Sequence, residues 1–221
     1  MNVSYRLVII TAIFITCLIT ANIIAVKIVG IGSVVLPAAI IVFPLSYIFG
    51  DILTEVYGYR WMRRIIWLGF LCNLIFVFFA WVGQLLPAAL FWEDQEAYRS
   101  ILGYAPRLLV ASFSGYLVGE FANSFILAKM KIATQGRWLW MRTIGSTIAG
   151  QGLDTSIFIT IAFAGTSSFT PVMILYHFLA KTAIEVLATP LTYTIVNYLK
   201  KREKTDIYDS KTDFNPFSIS G

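Results

Sequence analysis

The chain has 221 residues, of which 58% are apolar and 13% charged, and its 17 Lys and Arg against 12 Asp and Glu give a net charge of +5. A water-soluble domain carries roughly 45–50% apolar and about 25% charged residues, so this composition excludes an ordinary soluble fold. One membrane-crossing helix needs about 20 mostly apolar residues, and the apolar content suffices for six. Cys17 and Cys72 both lie in apolar runs and read as packing residues, because neither a disulfide scaffold nor paired zinc-ligand spacing can be built from them.

Span-length windows predict helices over 5–27, 33–57, 64–87, 104–128, 141–165 and 172–199. In the first, the apolar run from Leu7 to Val26 is longer than the apolar core of a signal peptide, so it is expected to be retained as a span. The second contains Pro37 and Pro44 and is flanked or punctuated by Gly30, Gly32 and Gly50, which predicts a kinked or partly unwound span. The expected architecture is all-α, a polytopic membrane protein: one six-helix transmembrane domain over 1–199, then a polar cytoplasmic tail over 200–221.

Positive residues collect on the cytoplasmic side of membrane proteins. Arg6, Arg60, Arg63, Arg64, Lys129, Lys131, Arg137, Arg142, Lys200, Lys201, Arg202, Lys204 and Lys211 fall on one side of the predicted spans, 13 of the 17. Both termini are therefore expected to be cytoplasmic. Trp61, Trp138 and Trp140 fall near the inner boundary and Trp81 and Trp92 near the outer one, where indoles prefer to sit.

An ionisable group inside a span costs at least about 2.5–3.5 kcal/mol at the bilayer centre, so it must face protein or water. The predicted spans hold Asp51, Glu55, Arg107, Glu120, Asp154, His177, Lys181 and Glu185. Helical spacing aligns Ser112, Tyr116, Glu120 and Asn123 on one face, Thr147, Gln151, Asp154 and Phe158 on another, and His177, Lys181, Glu185 and Thr189 on a third. Three polar faces that cannot meet lipid must meet one another or a shared cavity. Two structural alternatives stay open: Lys181 and Glu185 neutralising each other, and Asp51 and Glu55 meeting Arg60, Arg63 or Arg64. Asp154 has no cation within four residues on its own span, which favours a role facing a cavity. Gly115 and Gly119 form a GxxxG spacing and Ala21 and Ala25 an AxxxA spacing, read first as packing features. No H-E-x-x-H helix or phosphate loop is present, so no catalytic residue, metal or cofactor is predicted.

Several residues in order carry a resemblance: Phe43-Pro44, Gly50-Asp51, Glu55-Val56-Tyr57-Gly58 and Arg63-Arg64, then Ala111-Ser112 and Asn123. Arg142, Ser146, Gln151, Asp154-Thr155, Ala162 to Gly165, Lys181, Glu185 and Pro190 continue it. Over roughly residues 40–195 the chain resembles the vitamin-uptake-like transporter family that contains the queuosine precursor transporters. The resemblance implies an inner-membrane importer of 7-cyano-7-deazaguanine, 7-aminomethyl-7-deazaguanine or queuine, working by alternating access. It also implies likeness to the six-helix substrate-binding components of energy-coupling-factor transporters, which dock a partner through small residues of the first helix, where Ala21 and Ala25 lie. Members of the family work without a dedicated ATPase. The alternatives kept open are a substrate-binding subunit needing a separate energising complex, and an intramembrane enzyme. The expected partners are the deazaguanine and the lipid bilayer, with no nucleic acid and with a homodimer left open.

A guanine-like edge presents an N–H and an amino group side by side, which one carboxylate accepts while an amide reads the neighbouring carbonyl. Asp154 with Gln151, or Glu120 with Asn123, would supply such a pair, and Phe158 and Tyr116 would sandwich the ring. Asp51, Glu55 and Glu185 are further carboxylates for a substrate ammonium. Lys181 and Glu185 are the expected coupling or gating residues.

Overall fold

The computed structural model describes residues 4–31, 34–103, 106–165 and 171–218. Helix α1, Tyr5–Ile24, starts at Ser4, whose hydroxyl accepts from the Leu7 N–H as an N-cap. Leu7, Ile10, Phe14, Leu18 and Ala21 recur every three or four residues and are buried on one face. The opposite face is also apolar and exposed at Val8, Ile9 and Ile13, the pattern of a helix that meets lipid rather than water.

The second predicted span does not begin as a helix. Strand β1, Ile28–Ile31, pairs antiparallel with β2, Val34–Pro37, in the register Ile28 to Pro37 and Ile31 to Val34. A 3₁₀ turn over Ala38–Ile41 then leads into α2, Phe43–Tyr57. Pro37 sits extended just before the turn, and Pro44 sits in the first turn of α2, where a missing N–H costs nothing. The predicted unwinding is therefore present, whereas the hairpin departs from the all-α expectation. Gly32 lies outside the described residues.

Helix α2 is central, with 12 of its 15 residues buried, Asp51 and Glu55 among them. Gly58 joins it to α3, Tyr59–Leu85, at φ +86, and a Cβ there would meet Ile207 at 2.9 Å. Only glycine satisfies both conditions. A short surface helix, α4, Gln95–Leu102, has no buried residue and precedes α5, Pro106–Ala133. Helices α6, Leu139–Phe163, and α7, Pro171–Glu203, complete the bundle. Among the described residues, five segments are long and apolar enough to cross a membrane: Tyr5–Ile24, Ala38–Tyr57, Tyr59–Leu85, Gln95–Ala133 and Ile174–Glu203. Helix α6 has a spanning length of 25 residues but is not one of them. Its inward face carries Arg142, Thr143, Ser146, Thr147, Gln151, Asp154 and Thr155, all buried.

Helices α5 and α6 touch through their backbones. A Cβ on Gly119 would lie 3.0 Å from the Gly150 carbonyl oxygen, and one on Gly150 would lie 2.9 Å from that of Gly119. The GxxxG spacing is thus a packing seam. The Ala21 of the AxxxA spacing has no exposed surface, so it is not available as an outward docking face.

Residues after Glu203 fold back across the ends of α2, α3 and α5. Asp209 accepts from the Tyr59 N–H at 3.0 Å, and the Arg63 guanidinium donates to the Asp213 and Asn215 carbonyls at 2.8 Å each. Trp67 donates to the Pro216 carbonyl at 2.8 Å, and Phe214 lies under the Lys129 ammonium at 4.0 Å.

Candidate functional site

Between α1, α2, α3, α5, α6 and α7 lies a cavity of about 460 Å³, within the range of small-molecule sites. Its floor is polar. Glu120 of α5 and Asp154 of α6 reach it, and the Lys181 ammonium of α7 binds Asp154 Oδ2 at 2.8 Å while lying 4.7 Å from the centre of the Phe43 ring. Phe43, Phe113, Tyr116 and Phe158 supply flat apolar walls. On one side Asn22 donates to Asn73 at 2.7 Å, Asn73 donates to the Gly69 carbonyl at 3.0 Å, and Ser112 donates to Asn22 at 3.1 Å. This chain ties α1, α3 and α5 together at the cavity wall. The Tyr116 hydroxyl donates to the Ile66 carbonyl at 3.0 Å. His177, Ser100 and the hairpin residues Ile28 and Pro37 stand around the opposite end of the cavity from Glu120.

Beneath the floor is a second polar layer, which Glu120 shares with the cavity lining. Asn123 donates to Asp51 Oδ1 at 2.7 Å, and among the described residues Asp51 Oδ2, Asn123 Oδ1, Glu120 Oε2, Glu185 Oε2 and both side-chain polar atoms of Gln151 have no hydrogen-bond partner.

A third layer closes the end of the bundle where Arg6 and Glu203 lie. Glu55 Oε1 accepts from Arg142 Nη2 at 3.0 Å and from Lys200 Nζ at 2.6 Å, with Lys131 Nζ at 3.6 Å. Lys131 also donates to the Glu55 carbonyl at 2.6 Å, to Asp206 at 2.6 Å and to the Ile207 carbonyl at 2.7 Å. Burial alone would raise the Asp206 carboxyl, but hydrogen bonds from Lys131 and Lys200 carry it below the ordinary value of 3.8. Arg6 pairs with Glu203 at the same end.

Of the residues singled out from sequence, Glu120, Asp154, Phe158, Tyr116 and Lys181 share the cavity, while Gln151, Asn123, Asp51 and Glu185 lie outside its lining. Glu55 is in the ionic layer, and its partners come from α5, α6 and α7 rather than from Arg60, Arg63 or Arg64. Lys181 pairs with Asp154 and not with Glu185, so the cation that Asp154 lacks on its own helix comes from α7. Asn22, Asn73 and Tyr47 are not singled out by the sequence, and Phe43 only as part of the resemblance, not as a site residue. The signal for the two asparagines was available, since an amide in an apolar run must find a partner within the bundle.

A family described as "Putative vitamin uptake transporter" matches residues 37–195. A protein of Bacillus subtilis strain 168 described as "Probable queuosine precursor transporter" is 28% identical over 195 residues, covering 84% of this chain and 82% of the relative. No solved structure matches the chain significantly. The match takes in α2, α3, α5 and α6 and most of α7, and the chain belongs to the vitamin uptake transporter family.

Proposed function

We propose that the protein is a multi-pass importer of the plasma (inner) membrane that carries a 7-deazaguanine precursor of queuosine by alternating access. The observation that carries this reading is the cavity of about 460 Å³, with carboxylates at its floor and aromatic walls. A deazaguanine is flat and presents adjacent N–H donors. Glu120 and Asp154 are carboxylates suited to accept them, and Phe158, Tyr116 and Phe43 are suited to stack against its faces. The positive-inside rule places the ionic layer, with Lys131, Arg142 and Lys200, and both termini on the cytoplasmic side. The cavity then faces outward, and the ionic layer closes the path inward. The printed description of the Bacillus relative supports the same substrate class.

In this reading Asp154 holds the substrate edge, Lys181 holds Asp154, and the Asn22–Asn73 pair limits the lateral room. The test is uptake of 7-cyano-7-deazaguanine into vesicles containing only the purified chain. Asp154→Asn is expected to abolish uptake while inserting normally. Full uptake by a well-inserted variant would sink the assignment, and no uptake by the wild-type chain alone would favour a subunit needing an energising partner. Thermal stabilisation by deazaguanines but not by vitamins is the companion result; a ligand at 100 times its Kd adds about 2.7 kcal/mol.

A further inference from the structure

The bundle core holds more acid than its cations can balance. Asp51, Glu120, Asp154 and Glu185 are 0%, 1%, 7% and 3% exposed, and among the described residues Lys181 is the one cation paired with any of them, through Asp154. Among the described residues no ion pair reaches Asp51, Glu120 or Glu185. Three neighbouring carboxylates left ionised in a buried layer repel one another and forfeit hydration, each costing several kcal/mol.

The three are neighbours. Glu120 Oε2 lies 3.1 Å from where a Gly50 Cβ would stand, next to Asp51, and Glu185 is within electrostatic reach of both. Each keeps one oxygen without a partner, and the buried Tyr47 hydroxyl, also unpartnered, lies within electrostatic reach of Glu120, Asp154 and Glu185. Tyr47 is 3% exposed. Among the described residues no group of three acidic, His or Cys side chains is arranged to hold a metal ion. A proton neutralises a carboxylate and also turns its unpartnered oxygen into a hydrogen-bond donor.

We propose that Asp51, Glu120 and Glu185 form a proton-binding site that couples substrate import to the proton gradient. The coupling half rests on the importer reading; the proton site itself does not. Glu120 opens to the cavity and so to water on the side away from the ionic layer, and Asp51 and Glu185 lie behind it. Facing one or more of the three are Tyr47 from α2, Tyr116 from α5 and Asp154 from α6, which carries Lys181 from α7. Glu55, one turn beyond Asp51, stands with Lys131, Arg142 and Lys200 and separates the site from the other end. Protons enter from outer water onto carboxylate oxygens and leave to inner water once that ionic layer parts, so no co-reactant is consumed.

The first measurement needs no substrate: infrared spectra of the purified wild-type chain at neutral pH, with Asp51→Asn, Glu120→Gln and Glu185→Gln. The expected result is a protonated-carboxyl carbonyl band that these substitutions diminish. No such band, or one indifferent to all three, overturns the site. The second is 7-cyano-7-deazaguanine transport in vesicles, where a one-unit inside-alkaline pH gradient supports up to about tenfold accumulation per proton. Glu185→Gln should lose that accumulation and keep gradient-free exchange. Wild-type exchange that ignores the pH gradient, or follows a sodium gradient instead, overturns the coupling. A band without any exchange removes the importer reading and leaves the proton site standing.

Discussion

The seam between α5 and α6 fixes where Asp154 stands, and one methyl group tests it. A Cβ on Gly119 would lie 2.7 Å from Asp154 Cβ, 2.7 Å from the Tyr47 hydroxyl and 3.0 Å from the Gly150 carbonyl oxygen, where ordinary contact begins at 3.4 Å. Two of those atoms are fixed by the α6 backbone, so Gly119→Ala must move the helices from 2.7 to at least 3.4 Å, a separation of about 0.7 Å. Overpacking of this kind costs about 1–3 kcal/mol. Alanine's better helix propensity returns about 1 kcal/mol of it. The net loss is up to about 2 kcal/mol, or a fall of about 4–8 °C in Tm for a chain of this size. Gly145→Ala is the matched control, because its Cβ would meet only the flexible end of Met130 at 3.2 and 3.3 Å. Thermal unfolding of the detergent-purified variants, followed by tryptophan fluorescence, should show Gly119→Ala lowered and Gly145→Ala unchanged or raised. Equal Tm values for the two variants would refute the tight seam.

Glu55→Gln leaves Lys131, Arg142 and Lys200 facing one another without their shared anion, and breaking such a buried arrangement costs about 3–5 kcal/mol. A large drop in Tm with poor recovery of folded protein is expected, and a wild-type Tm would show that the layer contributes nothing. Arg63→Ala removes both donor bonds to the Asp213 and Asn215 carbonyls, each worth about 1.5–3 kcal/mol for a charged donor. Trypsin should then cut faster at the exposed Lys204 and Lys211, while an unchanged cutting rate would mean that Arg63 does not hold the segment. Asp206 has a depressed folded value, so its contribution is complete above the unfolded carboxylate value of about 3.9 and is lost only as pH falls below it. A spin label at exposed Ser210, with Cys17 and Cys72 replaced, should stay immobile from pH 5 to 8 and loosen below about pH 4. Loosening near neutral pH would contradict this.

The helices and their polar faces were legible because the period of 3.6 residues and the cost of a buried charge act within one segment. Partners across helices were not. Spacing along α7 offers Glu185 to Lys181 at i,i+4, yet the packing of α6 against α7 brings Asp154, 27 residues away, to 2.8 Å. Glu55 likewise has three nearby arginines in sequence, but α5, α6 and α7 deliver its cations. The hairpin over Ile28–Pro37 was hidden because a short apolar run with a glycine fits a strand or the start of a span equally well. The docking of residues 204–218 was hidden for a different reason. Arg63 and Trp67 bind backbone carbonyls there, and every residue type carries one.

Helix α2 links the two ends of the bundle. Ser46 and Tyr47 reach the cavity, Asp51 lies in the acid layer, and Glu55, one turn further, is in the ionic closure. Its leading end rests on a 3₁₀ turn rather than on a continuous helix, so it can tilt without breaking an α-helical ladder. The chemistry of the closure suits such motion. An apolar plug exposed to water loses about 25 cal/mol per Å² uncovered, with nothing in return. Glu55, Lys131, Arg142 and Lys200 recover hydration when they part, and that gain offsets most of the lost attraction, since burying such groups was itself costly. A substrate that prefers one state by a few kcal/mol then suffices to shift the balance, because a population moves only by the difference in affinity between its states. A closure made of buried ions would therefore be stable while shut and inexpensive to open, which is the property that the proposed alternating-access cycle requires.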